Sequence, residues 1–220
     1  MPRNLRVAVL AALTVGLVAG CADDPKPSPG DAAAAANPTA TSTAPGAPWY
    51  DDVAPAAAAT KVGPKGAGCE LPVTFDLPAQ WKPKPIEFHP ELAELIQQGG
   101  STAVCEIDAK PAGNIGFLRV WIVDRGAVIG ARKGLEEFLA AQGKLTDLQY
   151  RDTLAGPLRA TEATYLEGSE LTGESKRGRA LVAATRYGTV LITLGGMDTE
   201  EFEAMLPAYQ LAKQTISVTR

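Results

Sequence analysis

Apolar and polar residues alternate along Ser101 to Lys110, "STAVCEIDAK", with Ala103, Cys105, Ile107 and Ala109 on one face and Thr102, Glu106 and Asp108 on the other. A period of two marks a strand buried on one side. The same reading makes a strand of "LPVTFDLP" (Leu71 to Pro78), while "GFLRVWIVD" (Gly116 to Asp124), apolar on both faces, reads as a central strand. Four more strands follow: "LTDLQYRDTL", "LRATEATYLEG", "RGRALVAATRY" and "TVLITLGG", divided by turn signals at Ala155-Gly156-Pro157, Gly168 to Gly173 and Gly188. Strands joined so closely run antiparallel, because parallel neighbours need a long crossover.

The pattern changes to helical spacing in three places. Pro90 followed by Leu92, Leu95 and Ile96, and stopped by Gly99 and Gly100, predicts a short helix. Ile129, Leu135, Phe138 and Leu139 predict a second over about Ile129 to Gln142, with Arg132, Lys133, Glu136 and Glu137 mostly opposite and Gly143 at its end. A third starts after Asp198, with Glu200, Glu201 and Glu203 where the helix dipole favours acids and an apolar stripe of Phe202, Met205, Leu206, Tyr209 and Ile216. Pro207 inside that stripe predicts a kink or a short break. Helices packed on an antiparallel sheet of about six strands make an α+β fold.

Upstream, the pattern is of another kind. Arg3 and Arg6 precede an unbroken apolar or small run, Val7 to Ala19, which has the layout of a secretory signal peptide and is too short to span a bilayer. Val18, Ala19, Gly20 and Cys21 look like a bacterial lipobox, in which the cysteine thiol takes a diacylglyceryl group, palmitate-type chains included, and the leader 1–20 is cut away. The alternative is an ordinary cleavage site at which Cys21 is incidental. Two or three acyl chains hold a protein at a membrane durably, whereas one does so marginally. From Cys21 to Gly68 the chain is rich in Ala, Pro, Gly, Ser and Thr, too poor in large apolar residues to offset the entropy of ordering, and reads as a tether spanning about 35 to 40 Å. Within it "PWYDD" (Pro48 to Asp52) is either a linear docking motif or a segment left exposed or packed loosely on the domain. Residues 69–220 are then a single globular domain.

Charge and cysteine content narrow the function. The formal charge of the 220 residues is -4, and losing Arg3 and Arg6 with the leader makes it -6, which disfavours nucleic acid and anionic lipid as partners. With Cys21 acylated, Cys69 and Cys105 are an even pair in an oxidising compartment and are expected to form a disulfide, the alternative being two buried thiols.

"FDLPAQWKPKP" (Phe75 to Pro85), "AGPLRATEATY" (Ala155 to Tyr165) and "LPAYQLAKQTISV" (Leu206 to Val218) resemble the PsbP-like fold, including mycobacterial lipoproteins of the LpqN type. The likeness spans the last 150 residues or so. It implies an α/β/α sandwich with a central antiparallel sheet, serving other proteins as an extrinsic subunit, binder or adaptor, and it carries over no catalytic residue.

The residues themselves offer little reactive chemistry. His89 is the one histidine, and no "GxSxG" elbow exists to meet it. Ser101, Ser169 and Ser175 read as turn, cap or strand-start residues. His89, Cys69 and Cys105 together match no zinc-finger spacing. "GPKGAG" (Gly63 to Gly68) lacks the lysine-serine or lysine-threonine end of a phosphate loop. "SKRGR" (Ser175 to Arg179) puts Arg177 and Arg179 on one strand face, either for an acidic partner or as a charged edge strand. Trp81 is expected to fill one end of the core while Lys82 and Lys84 stay in water. No catalytic, metal or cofactor site is expected. The sequence therefore predicts a lipoprotein anchored through Cys21 to the extracytoplasmic face of the cell membrane, with a non-catalytic binding or adaptor domain for an envelope protein or small ligand. The alternative is an envelope hydrolase using carboxylates.

Overall fold

The computed structural model describes residues 46–87, 89–168 and 173–219, all within one compact unit, Ser42–Arg220. Cys21, the leader before it, the tether up to residue 45 and Ser169 lie outside the described residues. The chain forms β1 (Thr60–Val62), β2 (Val73–Leu77), β3 (Lys82–Pro85), α1 (Ala93–Ile96), β4 (Gln97–Gln98), β5 (Ser101–Asp108) and β6 (Phe117–Val123). It continues through α2 (Gly126–Ile129), α3 (Ala131–Ala140), β7 (Leu145–Ala155), β8 (Leu158–Gly168), β9 (Ser175–Thr185), β10 (Gly188–Gly195), α4 (Thr199–Thr215) and β11 (Ser217–Val218). Among the described residues no helix is long and apolar enough to cross a membrane.

The fold is α+β. The large sheet is eight-stranded, in the order β3-β5-β6-β10-β9-β8-β7 with β4 paired to β5, and its pairings are antiparallel. Successive strand residues point to opposite faces, and both faces are covered. Leu118, Val120, Leu181, Ala183, Val190 and Ile192 join Phe202, Met205 and Tyr209 of α4 in one core. Trp121, Val123, Ala180, Val182 and Leu191 join Leu135, Phe138 and Leu139 of α3 in the other. A second sheet, ordered β1-β2-β11, adds Val62, Val73, Phe75 and Leu77 to the α4-side core. The Cys69–Cys105 disulfide, Cα atoms 6.1 Å apart, ties the segment entering β2 to β5 of the large sheet.

Several expectations change. The large sheet is wider than six strands, and Leu71 to Pro78 supplies a strand to the small sheet instead; β1, β3, β4 and β11, at two to four residues each, are too short to display alternation. The helix expected over about Ile129 to Gln142 is present as α3, Ala131–Ala140, and starts after Gly130, whose φ of 84° is costly for residues with a side chain and separates it from the short α2. Helix α4, in contrast, runs through Pro207 without a break, its buried Phe202, Met205, Leu206 and Tyr209 holding it on the sheet despite the missing N–H. The folded unit also begins upstream of Cys69. Tyr50 and Val62 are buried in the α4-side core, so residues 46–68 pack as part of the domain, anchored by a few large side chains within an Ala- and Pro-rich stretch. Trp81 is buried, with Lys82 and Lys84 exposed as the sequence suggested.

Candidate functional site

His89 is exposed, 3.7 Å from the Glu87 carboxylate. Cys69 and Cys105 are bonded to each other and are not thiolate ligands. Ser175 opens β9, and Ser101 is buried at the start of β5. None of these is brought together with another into a reactive set. The basic run Ser175 to Arg179 is the larger correction. It opens β9, where Ser175 to Gly178 pair with β8 alone and Arg179 is the first residue paired on both sides; Arg179 is fully buried and is not a solvated edge charge.

Arg179 belongs to a charge cluster centred on Glu162 of β8, which points toward α4 from an interior strand where no water reaches it. Glu162 Oε2 accepts from Arg151 Nε (2.9 Å) and Nη2 (2.7 Å) and from Lys213 Nζ (2.8 Å). Its Oε1 accepts from Tyr209 Oη at 2.6 Å and lies 3.7 Å from Arg179 Nη1. Burial alone would raise the Glu162 pKa, but the charges of Arg179 and Lys213 and these hydrogen bonds outweigh it and hold the carboxyl below its ordinary value. Burial, then the neighbouring Glu162, pushes the Tyr209 hydroxyl well above its ordinary value, so it stays a proton donor.

The PWYDD segment lies across this cluster as a strap. The Trp49 ring is 4.2 Å from the Arg151 guanidinium and 5.9 Å from that of Arg179. Asp51 takes both Arg151 terminal nitrogens, at 2.5 and 2.6 Å, and that pairing lowers its pKa. Pro48 O accepts from Arg179 Nη2 (2.7 Å), Tyr50 Oη donates to Glu203 (2.8 Å), and Gln210 Nε2 donates to Tyr50 O (2.9 Å). In this structure the segment docks on its own domain.

The opposite face of the sheet carries an open feature. Phe117, Arg119 and Trp121 of β6, Thr193 and Gly195 of β10, Gly178 of β9, and Tyr165 and Glu167 of β8 line a groove of about 340 Å³ closed at one end by Phe138, Ala141 and Gln142. Phe138 meets Trp121 edge to face, centroids 4.9 Å apart. The Tyr165 ring lies against Gly178, where an added Cβ would sit 2.3 Å from a ring carbon; glycine is what lets the ring lie on the sheet. Arg119 pairs with Glu106 and lies over the Phe117 ring at 4.4 Å. Lys176 and Arg177 add charge at the rim. Arg119 Nε, Gln142 Oε1 and Arg177 Nε are buried atoms without a hydrogen-bond partner among the described residues. Two hollows elsewhere, of about 570 and 740 Å³, are more open to solvent and lack this convergence of rings and cations.

Sequence reading missed both features, although a signal was present. Glu162 is a single charge among small residues on a predicted strand, and a charge on a strand covered on both faces must find its partner inside the protein; Arg179, at the end of the basic run SKRGR, carried no such signal. The groove joins three consecutive strands, β8 to β10, to the distant β6 and the end of α3, and no local pattern announces it.

A profile of the family described as "Uncharacterised lipoprotein" (Lipoprotein_23) matches residues 39–216. No curated protein matches the chain. Among solved structures, the chain is similar to cyanobacterial PsbP (CyanoP) from Synechocystis sp. PCC 6803, at 13% identity and a TM-score of 0.47, over 74% of this chain and 93% of that one.

Proposed function

The chain belongs to that family of lipoproteins, and from this premise we propose that Cys21 carries the lipid and that the folded unit is a non-catalytic binding or adaptor domain at the extracytoplasmic face of the bacterial cell membrane. The groove carries the reading. It presents four aromatic rings with Arg119, Lys176 and Arg177, and its volume falls among small-ligand clefts. The ligand it fits joins an apolar, ring-sized face to an anionic group, on an envelope protein or a small envelope molecule. Among the described residues the groove has one carboxylate, Glu167, which accepts from Gln142 Nε2 at 3.4 Å, whereas carboxylate hydrolysis of a glycoside takes two that flank the bond. Glu162, ionised and sealed under the strap, is a structural counter-ion. Kinship with LpqN-type lipoproteins is part of the same proposal.

Photo-crosslinking in intact cells tests it. A photo-reactive residue placed at Ala141 or Lys176 of the full chain should yield discrete adducts, while one at Val128 or Leu154, both exposed and outside the groove, should not. Equal adducts from all four positions, or adducts from the two controls alone, would remove the groove as the binding face.

A further inference from the structure

We infer that the surface beneath the strap is a second binding site, and that it takes an acidic, aromatic peptide segment of a partner protein in exchange for Trp49, Tyr50 and Asp51. The inference goes beyond the anchored-binder reading and involves a different face of the sheet. Arg151, Arg179 and Lys213 converge on one internal carboxylate, Glu162, and Asp51 supplies a second only by reaching in from the strap to pair with Arg151. The surface is a cationic one that holds an acidic ligand in cis.

Arg179 shows that the ligand in place leaves donors over. Its side chain is fully buried, its Nη2 donates to the Pro48 carbonyl, and its Nε and Nη1 have no hydrogen-bond partner among the described residues. A guanidinium is best matched by a carboxylate that takes two N–H groups at once. A segment that sets a carboxylate where the Pro48 carbonyl sits would make contacts the strap does not. The aromatic half of the recognition is already drawn by Trp49 over Arg151 and by Tyr50 edge to face with Phe202, centroids 6.1 Å apart.

The strap is also joined to the fold in a way that permits exchange. Residues 54–59 lead from it to β1 without regular secondary structure, and the strap adds no strand to either sheet. Backbone bonds from Ala56 N to Pro207 O and from Ala59 N to Leu77 O, both 2.9 Å, fix the far end of this connection. Release of the strap therefore unpairs no strand. Arg177, whose guanidinium is 5.9 Å from the Tyr50 ring, also lines the groove, so exchange at the strap reaches the groove rim.

The test uses the acylated full chain in nanodiscs and a fluorescent peptide of residues 47–53, Ala-Pro-Trp-Tyr-Asp-Asp-Val. Fluorescence anisotropy should show the Trp49→Ala/Asp51→Asn chain binding it at least tenfold more tightly than the unsubstituted chain. Adding Arg151→Gln, or replacing both aspartates of the peptide by asparagine, should abolish that gain. A second arm needs no substitution: saturating peptide should accelerate hydrogen exchange at the Tyr50 and Val53 amides of the unsubstituted chain, which are bonded to Gly46 O and Tyr50 O. Absence of that acceleration, or equal affinity of acidic and neutral peptides, overturns the inference. Neither arm reads a groove ligand, so a failure here is distinguishable from a failure of the groove.

Discussion

Glu162 sets the strongest expectation at the scale of a residue. Removing one member of a buried ion pair leaves its partners uncompensated and typically costs about 3 to 5 kcal/mol. Glu162→Gln, which strands Arg179 and Lys213, should lower unfolding free energy by about that much in urea titrations. A pH dependence follows from the same group. Glu162 and Asp51 both have folded pKa values below their ordinary ones. The stability they contribute is complete above the unfolded carboxylate value of about 4 and is lost as pH falls through the lowered folded values. Urea midpoints measured from pH 7 to pH 2 should therefore fall on the acid side, and Glu162→Gln should flatten part of that fall. Gly178→Val tests the groove wall. The new side chain meets the Tyr165 ring, so the ring must move, with a stability loss of about 1 to 3 kcal/mol and loss of adducts at Ala141. The cysteine pair was legible because only chain position and compartment were needed to propose it. The partners of Glu162 come from β7, β9 and α4, and their meeting is a property of the sheet order, which local pattern does not encode.

At the scale of elements, length decided what could be read. Strands β5 to β10 run seven to eleven residues each, long enough for alternation or an apolar run to declare them. Strand β3 is "KPKP", whose prolines fit an edge position and conceal it from propensity. The small sheet was hidden for the same reason, and its covalent tie to the large one gives the element-scale prediction. Cys69 and Cys105 are 36 residues apart in sequence. Closing a loop of that size is worth about 3 to 4 kcal/mol in the chain-entropy account. Cys69→Ser/Cys105→Ser should lose about that stability in denaturant titrations without losing strand content by circular dichroism. An unchanged denaturation midpoint would mean that the packing of Val62, Val73 and Phe75 alone holds the small sheet in place.

At the scale of the whole molecule, the packing of the strap shortens the free tether proposed between Cys21 and the domain. A proposed tether of about 25 residues, if a flexible coil, would span about 25 to 30 Å and set the distance of the domain from the proposed anchor. Cys21→Ala should abolish incorporation of a palmitate analogue and release the protein from the membrane fraction; normal labelling of that variant would refute the anchor. Whether the anchored domain binds through its aromatic and cationic groove is decided by the adduct yield from a photo-reactive residue at Ala141 in cells carrying full-length Arg119→Gln/Lys176→Gln. Both positions are partly exposed ion pairs, with Glu106 and Glu167, and such pairs contribute about 0 to 1 kcal/mol each, so folding should survive. Adducts should fall at least tenfold at an unchanged membrane level and melting temperature. An undiminished yield would contradict binding through the groove.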